Sequence, residues 1–220
     1  MRRETSLTEV ALDAKAHRTD ALTAILEFSF FHDLWQRLSG CNNAKRAILR
    51  EYAEIRPGMR VLDVGCGTGV LLSLMEYEVQ YVGFDVNPRY IKQANDRFRG
   101  RGLFVCAGVE NFRAPEGQFD LVLAIGILHH ISQAQSQKLI RTTSACLKPG
   151  GMLLTADLVW TGQQGRLERF LMSMDRGKNI LSEAGYVSLL SACFSRTETN
   201  VRNWLLNIPS TLCITRSWAQ

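Results

Sequence analysis

The sequence predicts an α/β fold built on a mostly parallel sheet, and three observations predict it. Short apolar runs alternate with amphipathic stretches from residue 59 onward. A glycine-rich turn, Gly65, Gly67 and Gly69 in VLDVGCGTG (61–69), follows the first of those runs. The chain has 220 residues, 46% apolar and 21% charged, which suits one folded α/β domain with a sizeable core and argues against disorder.

The first fifty-odd residues read as helix. In EFSFFHDLWQRL the apolar positions Phe28, Phe31, Leu34, Trp35 and Leu38 recur at three- and four-residue steps, and Ser39-Gly40 ends the stretch. A second helix over 42–54 closes before Arg56-Pro57-Gly58. Strand 59–64, helix 68–77, strand 80–86, helix 88–98 and strand 103–107 follow. Strand 119–125, helix 132–147, strand 151–159 and helix 163–184 come next, with right-handed crossovers expected between parallel strands. Two β-like runs near 196–203 and 211–217 flank Asn207 and Pro209 and suit a hairpin, which makes the final strand antiparallel. The organisation is read as an N-terminal helical lid, 1–54, and a binding domain, 55–220.

Composition narrows the function. Net charge is +5 and spread along the chain. The densest basic stretch, 87–102, reads as a solvated helix face, and no tail or long charge block marks a nucleic-acid partner. The six cysteines form no C-x-x-C pair and read as free thiols in a reducing compartment. The four histidines have no metal-ligand spacing with them, so no metal is expected. The N-terminus lacks the apolar core of a signal peptide, and the longest apolar or glycine run, 121–128, is too short to span a bilayer. The expected address is cytoplasmic, and the expected state a monomer or homodimer.

The glycine turn is spaced G-x-G-x-G, whereas the dinucleotide fingerprint is G-x-G-x-x-G. Asp63 stands just before it. A pyrophosphate favours bare N–H groups at a helix start, and a carboxylate there repels it: two unit charges about 4 Å apart interact by roughly 4 kcal/mol at an effective dielectric near 20. A cationic ligand gains where a phosphate loses. S-adenosylmethionine is such a ligand, with an ammonium, a sulfonium and no phosphate. Asp85 lies twenty residues after Gly65, where a carboxylate accepts hydrogen bonds from ribose hydroxyls.

Four motifs then point to a family. VLDVGCGTG (61–69), GFDVNPRYIKQA (83–94), FDLVLAIGILHHI (119–131) and LKPGGMLLTADL (147–158) resemble, in order and spacing, those of class I S-adenosylmethionine-dependent methyltransferases. The resemblance implies a Rossmann-like three-layer sandwich around a seven-stranded, mostly parallel sheet of order 3-2-1-4-5-7-6, with strand 7 antiparallel. It implies that Asp63, Gly65, Cys66, Gly67 and Gly69 surround the methionine part, and that Asp85 binds the ribose. Val86 and Asn87 then border the adenosine, with Val86 on the adenine. Gly108, Val109 and Glu110 edge the base, although relatives often carry an acid where this chain has Gly108. Ala124 and Ile125 sit beside the sulfonium. The product is S-adenosylhomocysteine.

The acceptor is read as a small molecule methylated at oxygen or nitrogen. The D/N/S-P-P-aromatic run of enzymes that methylate DNA-base amino groups is replaced by Ala124-Ile125-Gly126-Ile127, and no proline precedes a cysteine as cytosine C5 chemistry needs. His129 and His130 follow the expected methyl position and are the candidate catalytic residues, His129 preferred as a general base. Phe31, His32 and Trp35 are the candidate lid over the acceptor. The alternative is a non-catalytic S-adenosylmethionine-binding protein, or an enzyme that uses this ligand for other chemistry. A nicotinamide enzyme is disfavoured by the glycine spacing and by Asp63.

Overall fold

The computed structural model describes residues 40–114, 116–175, 177, 179–203 and 205–220. Helix α1 (Cys41–Tyr52) precedes β1 (Arg60–Val64), α2 (Val70–Leu74), β2 (Gln80–Asp85), α3 (Pro88–Arg97) and β3 (Gly102–Cys106). Then come β4 (Phe119–Ile125), a 3-10 turn (Leu128–His130), α4 (Gln133–Cys146), β5 (Leu147–Trp160) and α5 (Arg166–Ser173). The chain ends with β6 (Leu181–Ser182), α6 (Glu183–Ser191), β7 (Arg196–Arg202) and β8 (Leu212–Trp218).

The strands lie in the order β3-β2-β1-β4-β5-β8-β7, with two-residue β6 paired to β5. β1 to β5 run parallel, and β8 is antiparallel to both its neighbours. With the short extra strand β6 set aside, so that β7 and β8 count as strands six and seven, this is the order expected from the resemblance, and β7 and β8 are the expected hairpin partners.

Alternation along each strand makes two cores. Val61, Tyr81, Leu121, Leu123 and Leu154 face α1, α2 and α3, where Ile48, Leu71 and Ile91 pack on them. Leu62, Val64, Val82, Val122 and Leu153 face α4 and α6, where Leu139, Ile140, Tyr186 and Leu190 pack. Local chemistry starts the helices in register. Asn87 caps α3 by accepting from the Arg89 N–H, with Pro88 in the first turn. Ser132 and Gln135 form a capping box on α4.

Two expectations change. The helix expected over 163–184 is two elements: α5 ends at Ser173, and α6 begins at Glu183 under a cap in which Ser182 accepts from the Gly185 N–H. The segment between must pass over His129, and Gly177 does so with no room for a side chain: a Cβ there would lie 2.2 Å from His129 Cδ2. Helix 41–52, grouped with the lid in the sequence reading, packs into the sheet's first core through Ala44, Ile48, Leu49 and Tyr52. The candidate lid residues Phe31, His32 and Trp35 lie outside the described residues. Among the described residues no helix is long and apolar enough to cross a membrane. All six cysteines are free thiols.

Tyr186 ties α6 to the sheet. Its ring is buried, and its hydroxyl donates to the Leu158 carbonyl at 2.7 Å. Tyr186→Phe leaves that carbonyl short of a partner and is expected to cost about 1–3 kcal/mol, read as a lower midpoint in urea with an unchanged slope.

Candidate active site

The motifs converge at the carboxyl ends of the strands, around the boundary between β1 and β4 where the strand order reverses. The three glycines of the turn have positive φ, yet do different work. A Cβ on Gly65 would meet Ile127 Cδ1 at 2.1 Å, and one on Gly69 would meet Phe98 and Phe104 at about 3 Å, so both serve packing. Gly67 has nothing within 4 Å of a Cβ position and faces open space.

Asp85 joins the ends of β1 and β2. Its Oδ2 accepts from the Gly67 N–H at 3.0 Å and its Oδ1 from the Asn87 N–H at 2.8 Å. Burial pushes its carboxyl up, partly offset by the backbone N–H groups of Asn87, Gly67 and Val86. Two carboxylate oxygens offer about four acceptor positions; these two bonds leave two for a ligand. Asn87 therefore positions Asp85 and caps α3, while Val86 beside it is 74% exposed.

Asp63 is not on the open surface. It is 1% exposed and accepts a short hydrogen bond from the Tyr81 hydroxyl on β2. Burial raises its carboxyl to about 7, against the Tyr81 hydrogen bond and the Lys45 charge. Its negative charge near neutral pH is therefore partial, and a neighbouring cation strengthens it. Cys66 is buried below the turn, and burial pushes its thiol far up, so it is an inert packing group.

At the end of β3, Gly108 is partly open and Val109 half-buried. Glu110 Oε2 lies 3.9 Å from where a Gly108 Cβ would stand, while its Oε1 accepts from Gln135 Nε2 at 2.7 Å. A carboxylate from 110 thus stands near position 108, where relatives often carry an acid. At the end of β4, Ala124 turns into the second core, because alternation puts it on the face of Val122; Ile125 is partly open.

His129 is also enclosed, at 4% exposed. Its Nδ1 pairs with Asp157 Oδ1 at 2.7 Å, and its backbone N–H donates to the same oxygen at 3.3 Å. Its Nε2 lies 3.7 Å from Asp175 Oδ1, and His130 Nδ1 lies 3.9 Å from that oxygen. The rings of His129 and His130 stand 4.0 Å apart. Burial pushes the His129 imidazole down, but the hydrogen bond and charge of Asp157, with the charge of Asp175, more than offset it and leave it above its usual value. Tyr81, Asp157, Asp175 and Ile127 were not among the candidates from sequence. Asp157 carried a signal, a lone acid inside the apolar run MLLTADLVW; Asp175 lies in the stretch 170–186, which reads from the sequence as another wall of the acceptor site.

The fold and this edge define an α/β domain with a glycine turn and buried acids at the carboxyl ends of its parallel strands. Residues 61–151 match the protein family described as "Methyltransferase domain". The cyclopropane-fatty-acyl-phospholipid synthase of Escherichia coli K12 is 32% identical over 119 residues, which are 53% of this chain and 31% of that protein. The phosphoethanolamine N-methyltransferase of Plasmodium falciparum is 27% identical over 180 residues, 80% of this chain and 66% of that protein. A Haemonchus contortus phosphoethanolamine N-methyltransferase 2, solved with phosphomonomethylethanolamine and S-adenosylhomocysteine, superposes with a TM-score of 0.69 at 17% identity, over 90% of this chain and 58% of that one. That likeness speaks to the fold. The chain spans roughly a third to two thirds of the length of these two curated relatives. Over residues 61–151 the chain is thus similar to the methyltransferase-domain family, and its fold is that of the methyltransferase structures.

The described residues fit S-adenosylmethionine on their own terms. Gly67 borders open space, and Asp85 keeps two acceptor positions. The exposed Val86 offers an apolar surface for a base.

Asp63 gives a stability signature. Its folded value near 7 lies above its unfolded one, so the folded state holds a proton that the unfolded chain loses first. Stability from this group is complete below about pH 4 and is lost as pH rises towards 7. The stability of wild type relative to Asp63→Asn is expected to fall by up to about 1.4 kcal/mol per pH unit across that window and to level off above it. Urea titrations at stepped pH check it.

Proposed function

We propose that the chain transfers a methyl group from S-adenosylmethionine to a small-molecule acceptor, at oxygen or nitrogen. The cofactor brings a methyl group already activated on sulfur, so the chain's own task is positioning and proton removal. Asp85 takes the ribose hydroxyls with its spare acceptor positions. Gly67 leaves room for the methionine part, Val86 lies against the adenine, and Glu110 serves the base edge in place of an acid at 108. Ile125 borders the transfer site. Asp63 acts from beneath, its partial charge favouring a cation above the turn. The helical lid read over 1–54 is our candidate for the acceptor's cover, through Phe31, His32 and Trp35, which lie outside the described residues.

The observation that carries the reading is the buried Asp157–His129 pair at the ends of β5 and β4. A carboxylate on Nδ1 holds that proton in place and leaves Nε2 to receive the acceptor's proton, while stabilising the imidazolium that forms. The names of the Plasmodium and Haemonchus proteins support a small acceptor with an amine, whereas the Escherichia coli relative is named for a lipid. The acceptor class therefore rests on a screen. Incubation with methyl-labelled S-adenosylmethionine and a panel of hydroxyl and amine compounds is expected to label one chemical group of small acceptors. Label appearing only in nucleic acid or protein would overturn the reading.

Asp85→Ala is expected to weaken S-adenosylhomocysteine binding by about 1–3 kcal/mol, the loss of two hydrogen bonds, measured by calorimetry. His129→Ala is expected to slow single-turnover transfer by about 10²–10⁴-fold with cofactor affinity little changed. An unaltered rate would make His129 structural.

A further inference from the structure

We propose that His129, His130 and Asp175 form a binding site for a divalent transition-metal ion of the zinc type, and that filling it stops methyl transfer. Metal binding stands independently of the proposed function; the inhibition rests on it.

The three side chains each offer one ligand atom, and these atoms all lie within 4.8 Å of one another. The two separations from Asp175 Oδ1, 3.7 Å to His129 Nε2 and 3.9 Å to His130 Nδ1, exceed hydrogen-bond reach. Two ligands about 2.1 Å from one tetrahedral ion stand about 3.4 Å apart. A closure of a few tenths of an ångström brings each histidine nitrogen to that spacing from Asp175 Oδ1, and the two nitrogens lie within 4.8 Å of each other. His130 and Asp175 are more exposed than His129. His129 is already fixed.

The surroundings are those of a built site. Asp157 holds the nitrogen of His129 that faces away from the ion, the carboxylate–histidine arrangement that sets ring orientation and raises ligand basicity. Two hydrogen bonds order the Asp175 segment: Gly177 N–H donates to Asp175 Oδ1 within it at 2.7 Å, and Asn179 N–H ties it to the His129 carbonyl at 3.2 Å. Two carboxylates, Asp157 and Asp175, flank one imidazole, which favours a cation. Arg176 and Lys178 adjoin Asp175 in the sequence and lie outside the described residues. Two nitrogens and one carboxylate oxygen suit Zn²⁺ or Co²⁺ over Mg²⁺, which prefers an oxygen shell. Sequence spacing concealed this set, because Asp175 stands 45 residues beyond His130.

The consequence follows from one lone pair. His129 Nε2 is the atom proposed to take the acceptor's proton, and a ligated Nε2 has no lone pair to offer. The metal would act as a reversible stop on the base.

The test uses the full chain, stripped with a chelator and titrated with Zn²⁺ against a chromophoric competitor. One equivalent is expected to bind, and X-ray absorption is expected to show only nitrogen and oxygen neighbours at about 2.0–2.2 Å. A sulfur neighbour near 2.3 Å would assign the metal to the free cysteines and overturn the site. Asp175→Asn and His130→Ala are expected to weaken Zn²⁺ binding at least tenfold, and Asp157→Asn by about 10–100-fold. S-adenosylhomocysteine binding serves as the folding control. Equal Zn²⁺ affinity in the folded variants would overturn the proposal, as would absence of stoichiometric binding. Zn²⁺ should abolish transfer and EDTA restore it; transfer continuing with the nitrogen–oxygen site filled overturns the inhibition. A chain that takes up the ion through these ligands but methylates nothing in the screen counts against the proposed function and leaves the metal site standing.

Discussion

One carboxylate holds the crevice open. Asp85 takes the Gly67 N–H on one oxygen and the Asn87 N–H on the other, and with the Cys66 N–H donating to the Phe84 carbonyl it ties the glycine turn to the end of β2. The two donors to Asp85 belong to backbone that no helix or strand ladder satisfies, and an unpaired buried N–H is costly. Gly67 stays clear of side chains, Val86 stays exposed, and α3 starts in register because Asn87, held by Asp85, also caps it.

Three acids behind this edge are managed by three environments. Asp85 is stabilised as an anion by backbone N–H groups at the rim, although burial lifts it overall. Asp63, enclosed with Tyr81, is lifted to about 7 and becomes a charge that a cation above the turn can call out. Asp157 is as deeply buried, and its Oδ1 is committed to His129 while Oδ2 has no hydrogen-bond partner. Buried carboxylates cost several kcal/mol each unless something compensates them. A fold that keeps two of them beside one ligand edge is using them to orient groups.

The strand rhythm was legible because each strand alternates between two cores, and the last hairpin because turn-forming residues around Asn207 and Pro209 separate two β-rich runs. Asp85 was legible from its spacing after Gly65. What the sequence could not express were contacts across the fold. Gly65 reads as a ligand-facing glycine, but Ile127, sixty-two residues away, fills the space its side chain would need. Ala124 reads as a cofactor neighbour at a strand end, but its parity turns it inward with Val122. The amphipathic stretch 163–184 reads as one helix because nothing local announces that Gly177 must lie flat on His129. The same contact hides the association of Asp175 with the histidines.

The central claim is that this crevice takes adenosine attached to a cationic or neutral sulfur group and rejects a pyrophosphate. Calorimetric titration of the purified chain with S-adenosylhomocysteine and, separately, with NADH tests it most directly. The account predicts saturable one-to-one heat with S-adenosylhomocysteine and none with NADH. Binding of NADH with no response to S-adenosylhomocysteine would contradict it.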